Sequence, residues 1–416
     1  MVGKPYDWAQ GAVLDDHSRR KHKILREYFQ RYISTRCQLP QQSKFRLVVV
    51  DGFSGAGRYA CGSPGSPLIF IEELRATLSA MNTRRAAEGL AKMEIQCLLI
   101  FNDADNGALE ALKANCAPLL ASIKDEVPDL HLAVRFVNGE FEASYPALKA
   151  LIAQGRFRNV LFNLDQCGHS QVNHDTVRDI MQLTGSAEIF YTFAIQALLA
   201  FLHRRDPLKL ARQVRHLGIT SGELSSFELL MSNDAWLGAA ERMVFDTFRS
   251  CAPYVSPFSI HNPDGWRYWF IHLANNYRAR QVYNNVLHAN ATSQAHFGRS
   301  GLNMLSYDPS QDGSLYLFDV NGREAAKVQL IEDIPRLLSE SGDALNVAEF
   351  YESIYNATPA HTDDVHAAII LCDDLEVLTT AGGVRRRANT IEVGDTIRLK
   401  AQRSFFPMFM PEKKGR

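Results

Sequence analysis

The residues best able to do chemistry follow a series of apolar runs. The first is Leu47-Val48-Val49-Val50-Asp51-Gly52-Phe53-Ser54-Gly55-Ala56-Gly57-Arg58-Tyr59, an apolar strand pattern that leads into an acid and a glycine-bearing turn. Gly55 and Gly57 can take positive φ and have no Cβ, so the backbone there can lie against a ligand. With Asp51 and Phe53 they form the kind of turn that meets a nucleotide-like ligand at the carboxyl end of a strand. The pattern G-x-G-x-x-G and the lysine of a phosphate-binding loop are both absent, so a phosphate cradle is the weaker reading. A later run, Leu98-Leu99-Ile100-Phe101, leads to Asn102-Asp103. The Asp103 carboxylate can accept hydrogen bonds from two ribose hydroxyls. Asp105 competes for that role, and Asp103 can instead cap the following helix. Another run ends in Phe162-Asn163-Leu164-Asp165-Gln166-Cys167-Gly168-His169. Asp165 is the candidate for polarising a nucleophile, and His169 is a candidate general base because imidazole titrates near neutrality. Cys167 has no clear activating neighbour and reads as a buried, inert thiol.

The elements that must position these groups follow from periodicity. Strands are expected at Leu47–Val50, Cys97–Phe101, Leu132–Val137, Val160–Leu164 and Ile189–Phe193. Amphipathic helices lie between them at Pro67–Ala80, Ala108–Ile123 and Tyr145–Ala153, and this alternation implies a parallel, doubly wound sheet. Asp15–Cys37 has a helical pattern with Ile24, Leu25, Tyr28, Phe29, Tyr32 and Ile33 on one stripe, suited to packing across the sheet. Lys21 beside that stripe can reach a nucleic-acid ligand or lie on a solvated face. After Asp206 the pattern is helical to Arg249, then a loop carries Pro253, Pro257 and Pro263. Trp266–Leu273 reads as a late strand whose aromatic residues Trp266, Tyr268, Trp269 and Phe270 can stack bases or, since successive residues alternate faces, pack in the core, and Ala279–Asn290 reads as a helix.

From about Ile334 the composition shifts to two short helices, Leu345–Tyr355 and Asp364–Leu375, then a hairpin of Arg385–Glu392 and Thr396–Ala401 around Gly394-Asp395. Helix, helix and ribbon suggest a small winged-helix domain. The expected organisation is an N-terminal helical segment over 1–45, a Rossmann-like α/β domain over 46–330 with a helical insertion at about 207–250, and a winged-helix-like domain with a basic tail over 331–416. Arg385, Arg386 and Arg387 can contact a phosphate backbone. Asp363, Asp364, Asp373, Asp374 and Glu376 nearby oppose DNA and point to a protein partner instead. Arg299, in the loop His296–Leu302, can hold a phosphate or sit in a solvated turn.

Bulk properties narrow the classes. The 416 residues are 46% hydrophobic and 22% charged with formal net charge −1, so any basic surface is local. Seven scattered cysteines without a C-x-x-C pair argue against a disulfide framework or a metal centre, and for a reducing cytoplasm. Met1–Gln10 has no apolar run of the signal-peptide kind, and Ala187–Leu202 is too short and interrupted for a membrane span, so no membrane association is expected. A nuclease would need a cluster of metal-binding carboxylates, and none is evident.

An apolar strand followed by acid-x-Phe-x-Gly-x-Gly resembles the first motif of class I methyltransferases, above all those acting on nucleic-acid bases. The resemblance implies S-adenosylmethionine as cofactor, with Asp51, Phe53, Gly55 and Gly57 forming its loop and Asp103 holding its ribose. In the third turn, Val137-Asn138-Gly139-Glu140-Phe141, it places Glu140 near the adenine amino group and Phe141 beside it. Amino-methyltransferases of this class carry Asp/Asn-Pro-Pro-aromatic after the fourth strand, and of these only Asp165 is present here.

Taken together, Asp16-His17-Ser18, Lys21-His22-Lys23-Ile24-Leu25, Tyr28, the 51–59 motif, Gly62-Ser63-Pro64-Gly65-Ser66-Pro67-Leu68 and Asn138-Gly139-Glu140-Phe141 resemble the three-Cys-motif partner (TcmP) proteins, a bacterial methyltransferase-like family. The likeness covers roughly the first half of the chain. That family's fourth motif reads Asp-Pro-Phe-Gly, where this chain has Asp165-Gln166-Cys167-Gly168. Membership would imply a partner bearing a radical-SAM-like cysteine triplet and joint modification of DNA or RNA. The expected function is therefore nucleic-acid methylation, or assistance to such a partner; the alternative is a non-catalytic scaffold or nucleic-acid-binding subunit of a repair or defence system.

Overall fold

The structure is a computed structural model that describes residues 7–8, 11–203, 206–219, 233–261, 267–290, 294–297, 302, 315–316 and 318–400. The chain divides into two compact units, residues 1–298 with 305–319, and residues 299–304 with 320–416.

The first unit is α/β and Rossmann-like. Its strands are β1 (Lys44–Asp51), β2 (Glu94–Asp103), β3 (Leu130–Asn138), β4 (Asn159–Leu164), β5 (Ser186–Phe193), β6 (Tyr254–His261), β7 (Arg267–Ala274), β8 (Gln294–Phe297) and β9 (Leu315–Tyr316). Its helices are α1 (Asp16–Arg36), α2 (Ser66–Ala87), α3 (Asn106–Glu126), α4 (Phe141–Gln154), α5 (His174–Gln182), α6 (Ile195–Phe201), α7 (Pro207–Val214), α8 (Asn233–Arg249) and α9 (Tyr277–Ala289). The strands form one sheet in the order β3-β2-β1-β4-β5-β7-β6-β8-β9. The pairs among β1 to β5 are parallel, whereas β7 runs antiparallel to both β5 and β6.

The five expected parallel strands are all present because each is an apolar run long enough to be covered on both faces. Val48, Val49 and Val50 of β1 and Leu161, Phe162 and Leu164 of β4 are completely buried. Alternation decides the partners. Ile189, Tyr191 and Phe193 of β5 face one core cluster with Val177, Phe248 and Trp269. Phe190 meets Tyr28 of α1 edge-on at 4.9 Å, and Tyr28 Oη donates to buried Glu188 Oε2 at 2.5 Å. Helix α1 thus lies across the sheet as its stripe requires.

One element differs from expectation. The segment carrying Pro257 is strand β6, not a loop, with Pro257 opposite Ile271 of β7. On its other side β6 pairs with β8 at Ser259 and Ile260 and, among the described residues, not at Pro257, so the missing proline N–H costs no ladder bond there. Pro263 and Trp266 lie outside the described residues.

The second unit contains α10 (Val320–Glu340), β10 (Ala344–Asn346), α11 (Val347–Ile354), α12 (Thr362–Leu371), β11 (Leu375–Leu378), β12 (Val384–Arg385) and β13 (Thr396–Leu399). Both expected short helices are present. The expected hairpin is not: β13 pairs with β11 and β10, and β12 pairs with β11. Asp395 explains the change, since its buried carboxylate takes two hydrogen bonds from Arg385 at 2.9 and 3.2 Å and one from the Glu392 N–H at 2.8 Å, tightening the turn before β13. No described helix in either unit is long and apolar enough to cross a membrane.

Candidate functional site

The carboxyl ends of β1 to β4 open into a cavity of about 1130 Å³ at the point where the chain leaves the parallel neighbours β1 and β4 toward opposite edges of the sheet. Such switch points leave a crevice between the flanking loops, which is where α/β sheets take their ligands. The cavity exceeds the roughly 300–1,000 Å³ of most small-molecule sites, so it has room for two reactants side by side.

Three turns build one wall. After β1, Gly52 N–H donates to the Asn163 carbonyl at 2.9 Å and Ser54 N–H to the Asn102 carbonyl at 3.0 Å. Gly55 takes φ +55° and donates its N–H to Asp103 Oδ2 at 2.7 Å. The other Asp103 oxygen accepts from the Asp105 N–H at 2.9 Å. Asp105 is the residue that caps α3, accepting from the Gly107 and Ala108 N–H groups at 2.8 and 3.2 Å. The capping and cavity roles are thus divided: Asp103 braces the glycine turn and faces the cavity. Burial pushes its carboxyl above the usual range, against the hydrogen bonds that pull it down. Asn102 ties two turns together, its side-chain amide donating to the Gly52 and Gly139 carbonyls at 3.1 Å each. Its Oδ1 is buried on the cavity wall with no hydrogen-bond partner among the described residues. Glu140 precedes α4 as an exposed residue whose side chain makes no capping bond, and it also lines the cavity. Phe53 stands on the rim, 5.9 Å from the ring of Phe141.

Two expected ligand residues do not line the cavity. Gly57, at φ +74°, is glycine because a Cβ would sit 2.4 Å from Leu112 Cδ1 of α3. Asp51 is fully buried beneath the turn. Burial pushes its carboxyl up to about 7, helped by the nearby Asp165 charge and opposed by Ser66 and Asn163. Phe53 N–H approaches one oxygen at 3.4 Å, and Oδ2 completes no hydrogen bond among the described residues.

The opposite wall centres on Asp165. Lys21 of α1, only 4% exposed, donates from Nζ to Asp165 Oδ1 at 2.5 Å. Lys21 therefore does not lie on a solvated helix face. Burial pushes the Asp165 carboxyl up, but the Lys21 ammonium, its hydrogen bond and the Thr192 hydroxyl overcome this and hold it below the usual range. Burial also lowers the neighbouring His22 to about 4, leaving its ring neutral near pH 7. Gln166 turns inward, donating to Tyr191 Oη at 2.7 Å and accepting from the Gln171 N–H at 2.8 Å. That bond and the one from Ala194 N–H to the Gly168 carbonyl at 3.0 Å fix the loop so that His169 points elsewhere. His169 does not line this cavity and faces His216 at 3.3 Å instead. Cys167 is half-buried on the cavity wall rather than sealed in the core.

Three further residues line the cavity: Trp8, for which no sequence pattern carried a signal, His17, named only in the family resemblance, and Tyr268, read as either a base-stacking or a core aromatic residue. A Cβ on Gly55 would lie 2.2 Å from the Trp8 ring, so Trp8 sits directly on the glycine turn. His17 and Tyr268 stack in parallel, 4.3 Å between centroids and 6° between planes. Asp15 Oδ1 holds His17 Nδ1 at 2.9 Å.

The remaining basic candidates are dispersed. Arg385 is engaged by Asp395 and is not available to a phosphate, whereas Arg386 and Arg387 are exposed. Arg299 lies outside the described residues. Among the described residues no group of three or more histidine, cysteine, aspartate or glutamate side chains is placed to hold a metal ion.

The lining carries a clear charge. Asp15, Asp103, Asp105, Glu140, Glu142 and Asp165 bring six carboxylates against one lysine, which Asp165 already engages. Such a cavity attracts cationic groups and repels phosphates. No protein-family model matches the chain, and the search of curated proteins found no relative.

Proposed function

We propose that this cavity binds S-adenosylmethionine and that the protein methylates nucleic acid or prepares it for modification by a partner protein. The observation that carries the reading is the acidic lining. A dinucleotide or nucleoside triphosphate would bring phosphates into a field of carboxylates, whereas a sulfonium and an ammonium suit it. Several features support the fit. Asp103 has lone pairs left for ribose hydroxyls, Glu140 is unengaged by its own helix, and the orphan Asn102 oxygen awaits a donor. The strand order β3-β2-β1-β4-β5-β7-β6, with β7 alone antiparallel, is that of class I methyltransferases, an argument from fold likeness.

When bound, S-adenosylmethionine supplies a methyl group for a nucleophile, with cleavage of the carbon–sulfur bond. The chain then has to position the acceptor in line with that bond. Asp165, ionised and held by Lys21, accepts a hydrogen bond from the acceptor's N–H and orients its lone pair. The parallel His17 and Tyr268 rings offer a flat surface for a base.

The inward-turned Gln166, standing where amino-methyltransferases place proline, favours the second reading, a scaffold that binds cofactor without transferring methyl. In the second unit the order β10-β13-β11 behind α11 and α12 supports the winged-helix reading. The three-Cys-motif partner rests on the sequence resemblance alone.

The test is calorimetric titration with S-adenosylmethionine. Glu140→Ala should weaken binding about tenfold without altering the melting temperature, whereas Asp103→Asn should weaken it at least as much and also lower the melting temperature, because it loses one of the two backbone hydrogen bonds through which Asp103 braces the glycine turn. Absence of binding by the intact protein refutes the cofactor reading. Binding without methyl transfer to DNA or RNA favours the scaffold.

A further inference from the structure

Beside the acidic cavity lies a second cleft of about 720 Å³, and Ser170 lines both. Its walls are His169 and Ser170, the start of α5 at Asn173 and Thr176, and the stretch from Arg212 to Gly218. The charge reverses between the two spaces. Arg212 and Arg215 are exposed in this cleft and have no ion-pair partner among the described residues. His169 and His216 form a paired wall, with 5.1 Å between ring centroids. The carboxylate that lines the cleft, Asp175, is engaged by Arg178 at 3.3 Å.

We propose that this cleft holds a backbone phosphate of a polynucleotide whose target base enters the acidic cavity, with Arg212 and Arg215 as the phosphate ligands. The proposal deepens the methyl-transfer reading and rests on it for the base, but phosphate binding is separately measurable. Phosphates cannot enter the first cavity without meeting its carboxylates, so a nucleotide must place its two ends in spaces of different charge. The shared wall at Ser170 sets those spaces next to each other. Two unpaired arginines opening on solvent suit a phosphodiester, which guanidinium binds with paired hydrogen bonds.

Fluorescence anisotropy with labelled single-stranded DNA and RNA of about 20 nucleotides, longer than one binding site requires, tests this. Arg212→Gln/Arg215→Gln should weaken binding about 10- to 100-fold. It should also reduce the slope of log K against log salt by about 0.7, the value for one single-strand phosphate contact. Arg84→Gln/Arg135→Gln removes equal charge outside both cavities and should change binding less than about twofold. Near-UV circular dichroism establishes that the variants are folded. Undiminished binding by the Arg212/Arg215 variant, or no oligonucleotide binding by the intact protein, overturns the proposal. So does arginine-dependent binding of inorganic phosphate without oligonucleotide binding, which would indicate a free-anion site. Parallel titration with S-adenosylmethionine separates the two readings: arginine-dependent oligonucleotide binding without cofactor binding refutes only the cofactor assignment.

Discussion

Asp51 offers the sharpest test of the electrostatics beneath the cavity. Its side chain has no solvent exposure, and burial moves its carboxyl from the ordinary 3.8 up to about 7. Between about pH 4 and pH 7 the folded chain keeps a proton that the unfolded chain has released, so this group's contribution to stability falls as pH rises through the window. At about 1.4 kcal/mol per tenfold change in proton affinity, the loss reaches at most about 4 kcal/mol by pH 8. Asp51→Asn keeps the shape and an acceptor for the Phe53 N–H, but it cannot ionise. Urea unfolding of both proteins across pH 4.5 to 8.5 removes the contribution of every other titrating group by difference. The variant's stability relative to the parent should climb by about 2–4 kcal/mol across this range and level off near pH 8. Parallel stability curves would refute the reasoning, because they would mean that Asp51 ionises in the folded protein as it does in water.

Two further substitutions probe the groups that face α1. Lys21→Met leaves the Asp165 carboxylate without its cation and should cost about 3–5 kcal/mol, most of it recovered when Asp165→Asn is added. Additive single effects in that double-mutant cycle under urea would show that the pair is not coupled. Because the Asp165 carboxyl is held below its ordinary 3.8, its contribution is present above that pH and lost as pH falls through the lower, folded value. Tyr28→Phe removes the hydrogen bond to buried Glu188, leaving that carboxylate to His272 at 3.5 Å, and should cost about 1–3 kcal/mol in urea unfolding. A cost below about 0.5 kcal/mol would mean that Glu188 needs no donor from α1.

The parallel strands were legible because burial on both faces leaves a continuous apolar run, as in Val48-Val49-Val50, and a glycine turn follows directly. Strand β6 was not, because Pro257 is a breaker in any strand hydrogen-bonded on both sides there, and only the register shows that its outer side is unpaired. Only three residues separate His169 from Asp165, yet the inward bonds of Gln166 and Gly168 bend the loop and direct the two side chains into different spaces, which sequence spacing does not show. Lys21 and Tyr268 were named from sequence with two possible fates each, and what decides between those fates is how α1 and β7 fold onto the sheet, for which periodicity carries no signal; Trp8, ahead of α1, stands in no periodic pattern.

A net charge of −1 gave no sign of a nucleic-acid partner, and the arrangement of charges explains why such a partner is still compatible with this composition. Screening confines charge effects to about a Debye length, so what a ligand senses is the lining of the space it enters rather than the sum over the chain. Here the carboxylates gather around the β1 to β4 strand ends and the unpaired arginines lie beyond Ser170. The total is near zero because 45 lysine and arginine residues offset 46 aspartate and glutamate residues over the whole chain, while these two linings differ in sign locally. A ligand with a cation-tolerant base at one end and a phosphate at the other is selected by that contrast, whereas a uniformly anionic cofactor gains at one cleft and loses at the other. The acidity that disfavours a phosphate cofactor in the first cavity is then the same feature that would orient a nucleotide between the two.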